Sequence, residues 1–462
     1  MNELNKWQDY LAENRDRFIQ ELVEFVKIPS ISALSEHTED MNEAGRWFAK
    51  RLKQAGLNHV QVLPTGGHPV VYGDWIDDPK LPTVLIYGHF DVQPIDPIEL
   101  WETPPFDPVI KNERMYGRGA SDDKGNLMSP VAAIEALLET TGRLPVNVKF
   151  FAEGQEEIGS PQLPRFIAEN KDLLACDVVL SADGLQMSVD QPTIDVGYRG
   201  MVAMEVHVQG PANDLHSGLY GGMVQNPIHA LAHIVASLHD EEGRVTVPGF
   251  YEDVEELSVQ ERNQMAEIPF NEVDTKERLQ VDALFGEPGY SSLERVWSRP
   301  TLEICGIGGG YQAQGFKGIV PAEAMIKLTC RLSARQDPEK ITHAIQNHID
   351  NHTLPGVKVS IKDRESGAEA YRMPVDHPVN LAAAKILTQL YGKEPLVARC
   401  GGSIPVCGLF LKELQAYTVG FSFSYEDEYL HSPNEFFRLD SMDKGQKGYV
   451  LLLQELAETL KK

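Results

Sequence analysis

The hydrophobic pattern of this chain changes period twice, and that limits the fold more than any single motif. Over 1–195, short apolar runs alternate with segments of helical spacing. Leu11, Phe18, Leu22, Phe25 and Val26 recur at helical intervals over about 7–26, and a second helix is expected over 41–55, ending at Gly56. The runs 70–72, 83–87, 146–151 and 177–180 read as strands, with helices over 127–139 and 161–170. Such alternation is the pattern of a largely parallel sheet covered by helices. From about 196 the period falls to two. Val202, Met204, Val206 and Val208 oppose Ala203, Glu205, His207 and Gln209, and Ile326, Leu328, Cys330 and Leu332 repeat the pattern, as do Val357, Val359 and Ile361. One polar face suits an antiparallel sheet with helices on its other side. Asn226-Pro227 and Asp337-Pro338 have the residues that open helices. The acidic stretch 240–300 reads as an elaboration of this unit. After 373 the α/β style returns, with a helix over 379–391, a strand over 415–421 and a closing helix over 440–460. The expected class is α/β: a mostly parallel main domain built from 1–195 and 373–462, with an α+β domain of antiparallel sheet and helices inserted over 196–372.

Composition narrows the partners. Hydrophobic residues make up 42% of 462, enough for a sizeable core. The formal net charge of −26 argues against nucleic acid and against anionic membrane surfaces, whose phosphates it would repel. The five cysteines (Cys176, Cys305, Cys330, Cys400, Cys407) are odd in number and contain no CxxC pair, so a disulfide framework is not expected. The first seven residues have neither a basic nor an apolar leader region, and no apolar run approaches the ~18 residues of a membrane span. A soluble, cytoplasmic protein is the expectation.

Acids and histidines gather just past the expected strand ends, where open α/β sheets bind ligands. Gly88-His89-Phe90-Asp91 follows 83–87, and Glu153-Gly154-Gln155-Glu156-Glu157-Ile158-Gly159-Ser160 follows 146–151. Ser181-Ala182-Asp183-Gly184 follows 177–180, Gly117-Arg118-Gly119-Ala120-Ser121-Asp122-Asp123-Lys124-Gly125 lies between, and His431-Ser432-Pro433-Asn434 follows the last strand. Imidazole and carboxylate without thiolate suit zinc, manganese or cobalt in an open hydrolytic site. His89 and Asp91, two apart on extended chain, point the same way, so Asp91 is placed to orient the imidazole. Adjacent Glu156 and Glu157 point differently and can divide metal binding from proton transfer.

These motifs, in this order and nearly end to end, resemble the dinuclear zinc peptidase family that includes carnosinase-like dipeptidases, aminoacylases, acetylornithine deacetylase and succinyl-diaminopimelate desuccinylase. The DDKGN, EGQEEIGS, DLHSG and GGSIP segments are most similar to the carnosinase-like branch. The resemblance implies two divalent metal ions, zinc first with manganese or cobalt as alternatives, one held by His89 and Asp183, the other by Glu157 and His431, with Asp122 bridging. It implies Glu156 as general base and then acid, Asp91 as the orienter of His89, and a cis peptide at Asp122-Asp123. It further implies that His216, in Asp214-Leu215-His216-Ser217-Gly218, stabilises the oxyanion, from its own or a partner subunit. Arg331 would take the substrate carboxylate, Ser403 in Gly401-Gly402-Ser403-Ile404-Pro405 would contact substrate, and a homodimer would form through the inserted lid domain.

The activity implied is amide hydrolysis of dipeptides or small peptides, with an N-acyl-amino-acid deacylase on the same centre, or a non-catalytic metal-bound binding protein, as the alternatives. His207 and His229 read as structural, Cys400 has no assigned role, and Gly308-Gly309-Gly310, with no Gly-Lys-Ser/Thr after it, reads as a turn.

Overall fold

A computed structural model of the chain describes residues 6–362 and 367–461. The first five residues, on which the expectation of no leader region partly rests, lie outside that set. The chain divides into two compact units: Met1–Val196, Met373–Val397 and Leu409–Lys462 form one, and Gly197–Arg372 with Ala398–Gly408 the other. The segment 398–408, read in the sequence with the closing stretch of the main domain, therefore clusters with the inserted unit.

The first unit is built on a six-stranded sheet in the order Asn58–Leu63, Val70–Trp75, Asn147–Glu153, Thr83–His89, Val178–Ser181, Thr418–Gly420. The last four are mutually parallel, whereas the first two join antiparallel. Val84, Leu85, Ile86 and Tyr87 are wholly buried, as expected for parallel strands covered on both faces. Helix Asn126–Thr141 packs against the closing helix Leu439–Thr459, which in turn packs on Pro378–Tyr391.

The inserted unit carries a four-stranded antiparallel sheet, ordered Thr301–Gly309, Glu323–Leu332, Gly200–Gln209, Lys358–Lys362. Burial along Gly200–Gln209 alternates residue by residue. Its inward side chains Val202, Met204, Val206 and Val208 share one apolar cluster with Ile234 of helix Pro227–Ser237 and Ile345 of helix Pro338–Asn351. Both helices start where the sequence places them. Asn226 Oδ1 accepts from the N–H of Ile228 (2.9 Å), and Asp337 Oδ1 from those of Glu339 (2.8 Å) and Lys340 (3.1 Å).

Three differences from the sequence reading have physical causes. The single helix expected over 7–26 is two, Lys6–Glu13 and Arg15–Val26, because Asn14 turns its amide back onto the Tyr10 carbonyl (2.9 Å) and leaves helical geometry. Strand Asn58–Leu63 carries no sequence signal because it is an edge strand with no buried side chain, so no apolar alternation marks it. Strand Thr301–Gly309 is interrupted by a register shift between Ile304 and Gly306 and by glycines, which break its period. Among the described residues, no helix is long and apolar enough to cross a membrane.

Candidate metal centre

The parallel ladder brings three of the motif loops together. His89 pairs with Glu153, and Tyr87 with Ser181, so the segments leaving these strand ends, carrying Asp91, Glu156 and Glu157, and Asp183, emerge side by side. Gly88, just before His89, has no room for a side chain: a Cβ there would meet Asp123 Oδ2 and Leu127 Cδ1, each at 2.6 Å. The fourth and fifth loops arrive through a separate small sheet. Strand Phe436–Arg438 pairs antiparallel with Arg114–Tyr116, which sets the His431 loop beside the turn Ala120–Gly125 that carries Asp122. The peptide Asp122-Asp123 is cis.

Two donor groups result, each with its ligand atoms within 4.8 Å of one another: His89, Asp122 and Asp183, and Asp122, Glu157 and His431. Asp122 belongs to both and presents a different oxygen to each. Its Oδ1 faces His89 Nε2 at 3.0 Å and its Oδ2 faces His431 Nε2 at 3.0 Å. Glu157 Oε2 lies 3.1 Å from His431 Nε2 and also accepts from Gln93 Nε2 (2.8 Å). His89 is buried, whereas the His431 side chain is 53% exposed, so the centre is open on that side.

The carboxylate of Asp91 is shared differently from the expectation that it simply orients His89. His89 Nδ1 lies 3.1 Å from the Asp91 main-chain oxygen and 3.5 Å from its Oδ1. The carboxylate oxygens accept from the N–H of Glu156 (3.2 Å) and of Glu157 (3.1 Å). Asp91 thus fixes the turn that presents both glutamates as well as adjoining the imidazole.

The electrostatics are those of a place short of positive charge. Burial pushes the Asp183 carboxyl up to about 6 and Glu157 up to about 7. Burial likewise raises Glu156 well above the usual carboxylate range, with Asp183 and Glu157 adding repulsion. Burial alone would raise Asp122, but hydrogen bonds from His431 and His89 outweigh it and hold it below its ordinary value. Those partners act in return: Asp122 and Glu157 lift His431 to about 10, and Asp122 and Asp91 lift His89 against its burial. Five carboxylates around two imidazoles, with no thiolate, form the oxygen and nitrogen donor set that zinc, manganese or cobalt takes.

The three substrate candidates lie in the inserted unit. Arg331 Nη1 donates to Ser403 Oγ at 2.7 Å, so these two are together. His216 is exposed at the end of a short strand, where its Nδ1 accepts from the N–H of Gly218 (3.0 Å). His207 pairs with Glu205 on its own strand, and His229 is exposed on helix Pro227–Ser237.

Sequence reasoning missed the groups behind the centre. Gln93 holds Glu157. Buried Glu153 takes the Tyr87 hydroxyl (2.6 Å) and that of Ser160 (2.8 Å). Buried Lys124 donates to the carbonyls of Phe25 (3.0 Å) and Ile28 (2.7 Å). Glu435 collects the turn that carries Asp122. An acid immediately before the apolar pair Phe436-Phe437 was the one visible sign of Glu435.

Comparison with known proteins places this architecture. The profile of Peptidase family M20/M25/M40 matches residues 85–455. The chain is 32% identical over 470 residues to the Cys-Gly metallodipeptidase dug1 of Schizosaccharomyces pombe, covering 98% of each. It is 28% identical to the human Beta-Ala-His dipeptidase, covering 98% of this chain and 93% of that one. The crystal structure of the M20 family metallo-carboxypeptidase Sso-CP2 from Sulfolobus solfataricus superposes with a TM-score of 0.86 at 33% identity, over 96% of this chain and 99% of that one.

Proposed function

The chain is a member of Peptidase family M20/M25/M40, a metallopeptidase, and we propose that it hydrolyses dipeptides at the centre just described, with Glu156 carrying the proton. The observation that supports this reading most directly is Asp122, one carboxylate turning a separate oxygen to each of two donor groups. His89 and Asp183 would hold one divalent cation, Glu157 and His431 the other, and Asp122 both. Zinc is the first choice, with manganese or cobalt as alternatives. When bound, such ions supply Lewis-acid activation of the scissile carbonyl and of the attacking water. Glu156 takes the proton of that water and returns it to the departing amine, a task for a carboxylate beside the metal ligands whose affinity for protons burial has raised. Asp91 keeps Glu156 and Glu157 on their separate headings by gripping the main chain of both.

In the inserted unit, Arg331, supported by Ser403, would receive the free carboxylate of the substrate, and His216 would stabilise the oxyanion. The exposed apolar side chains Leu219, Met223, Ile307 and Phe316 in that unit support a homodimer formed through it. Among the described residues no disulfide joins the five cysteines, which supports a reducing, cytoplasmic setting.

The deciding experiment is metal analysis of the purified protein with a panel assay. The panel holds dipeptides including Cys-Gly and β-Ala-His, tripeptides, C-terminally amidated dipeptides, and acetyl- and succinyl-amino acids. Free amino acids should be released from dipeptides, the activity should vanish on chelation and return with zinc or manganese, and amidated dipeptides should be poor substrates. Preference for acyl-amino acids would replace the reading by a deacylase, and failure to turn over any member by a binding protein. The dimer has its own test. His216→Ala and Glu156→Gln chains, each nearly inactive alone, should recover activity when mixed under exchange if His216 acts across the interface; lack of recovery assigns it to its own subunit.

A further inference from the structure

We infer that Glu435 is a positioning residue that ties the Asp122 turn to the His431 loop, so that two members of the donor group Asp122, Glu157 and His431 are set by one buried carboxylate. The inference rests on the proposed metal centre and goes beyond it, because Glu435 touches none of the donor atoms. Its side chain is fully buried. Oε1 accepts from the N–H of Ser121 (3.0 Å) and of Asp122 (3.1 Å). Oε2 accepts from the N–H of Gly119 (2.9 Å) and from Arg118 Nη1 (2.7 Å). Three amides of one turn and one guanidinium therefore converge on a group four residues after His431.

The arrangement has a physical logic. The turn entering Asp122 runs through Gly119 in a left-handed conformation (φ 79°), where a side chain would strike Val92 Cγ1 at 2.3 Å. The amides of Gly119, Ser121 and Asp122 all donate to the one side chain, and a carboxylate is the acceptor that can take several at once with charge-assisted strength. The same segment holds the turn a second time: Ser121 Oγ donates to Glu428 Oε2 (2.6 Å), and Glu428 is in turn held by Arg438 Nη1 (2.8 Å). His431 itself sits at φ 58°, between Tyr429 at 58° and Asn434 at 66°, three non-glycine residues in the left-handed region that only their surroundings maintain. Asn434 anchors that loop outward, accepting from the N–H of Glu102 (2.7 Å) and donating to the Leu100 carbonyl (3.0 Å). Outward through Asn434 and inward through Glu435, the loop is fixed on both sides. His89 and Asp183, by contrast, leave sheet strands and owe their placement to the ladder. The donor group Asp122, Glu157, His431 therefore depends on Glu435 more than the group His89, Asp122, Asp183.

The test is cobalt titration of the chelator-stripped full chain, read by visible absorbance, with thermal melting and steady-state kinetics alongside. Glu435→Gln keeps the size but sets an NH2 against amide and guanidinium donors. Glu435→Asp keeps the charge and withdraws it by one methylene, and is the variant to read if the glutamine form does not fold. The expected result is that the weaker cobalt site loses about 10- to 100-fold in affinity, the scale on which groups supporting ligands act. The cobalt spectrum of that site should change, and kcat should fall at saturating metal with KM nearly unchanged. A folded variant that binds both cobalt ions with wild-type affinity and spectrum overturns the inference, even if its melting temperature drops. Wild-type protein that binds no cobalt pair overturns the metal centre itself, which is a separable failure.

Discussion

Glu156→Gln should leave two metal ions per chain and lower kcat by about 10²–10⁴-fold, the range assigned to a positioned general acid–base group. The amide has the size of the carboxyl it replaces. The turn that bears it is held through main-chain N–H groups on Asp91, which the substitution does not touch. Glu156 lies in neither donor group, so the ligands stay as they are. What is lost is the capacity to accept a proton, at a position where burial has raised the carboxyl well above its usual range. Metal content by elemental analysis beside kcat on a dipeptide reads both halves of this expectation. Undiminished turnover would take Glu156 out of the mechanism, and loss of metal with loss of rate would make it a ligand.

The second large effect belongs to Asp122, the proposed bridge. Asp122→Asn replaces one of two oxygens, each 3.0 Å from a different imidazole nitrogen, with an NH2 that cannot ligate. It also removes the negative charge common to both groups. At most one tightly held ion per chain is expected, with kcat/KM reduced on the order of 10³-fold or more, consistent with the several kcal/mol that Lewis-acid stabilisation contributes. A variant that still held two ions at wild-type affinity would end the bridging role.

Much of this centre was legible before the fold was known. Each proposed ligand sits in a short motif just past an apolar run, and the run and the ligand type are both visible in sequence. The residues behind them were not, and for a consistent reason. Glu435 lies more than three hundred positions from the amides it binds, and nothing about a single acid before two phenylalanines says where its oxygens point. Asp91 was legible as a neighbour of His89, two positions away. Its grip on Glu156 and Glu157, 65 and 66 residues on, was not. The edge strand Asn58–Leu63 shows the same limit in the fold: pairing with Val70–Trp75 makes it a strand, while its own side chains carry no buried face.

By itself, then, the amino-acid order determined the α/β class, the inserted antiparallel unit and the roster of candidate nitrogen and oxygen donors, because period, helix-opening residues and side-chain chemistry are local properties. Only the tertiary structure decided which oxygen of Asp122 meets which imidazole and which buried acids hold the loops. Those depend on the register of His89 with Glu153, of Tyr87 with Ser181 and of Phe436 with Tyr116. Register between distant strands is settled by the packing of the whole sheet, and no stretch of chain encodes it alone.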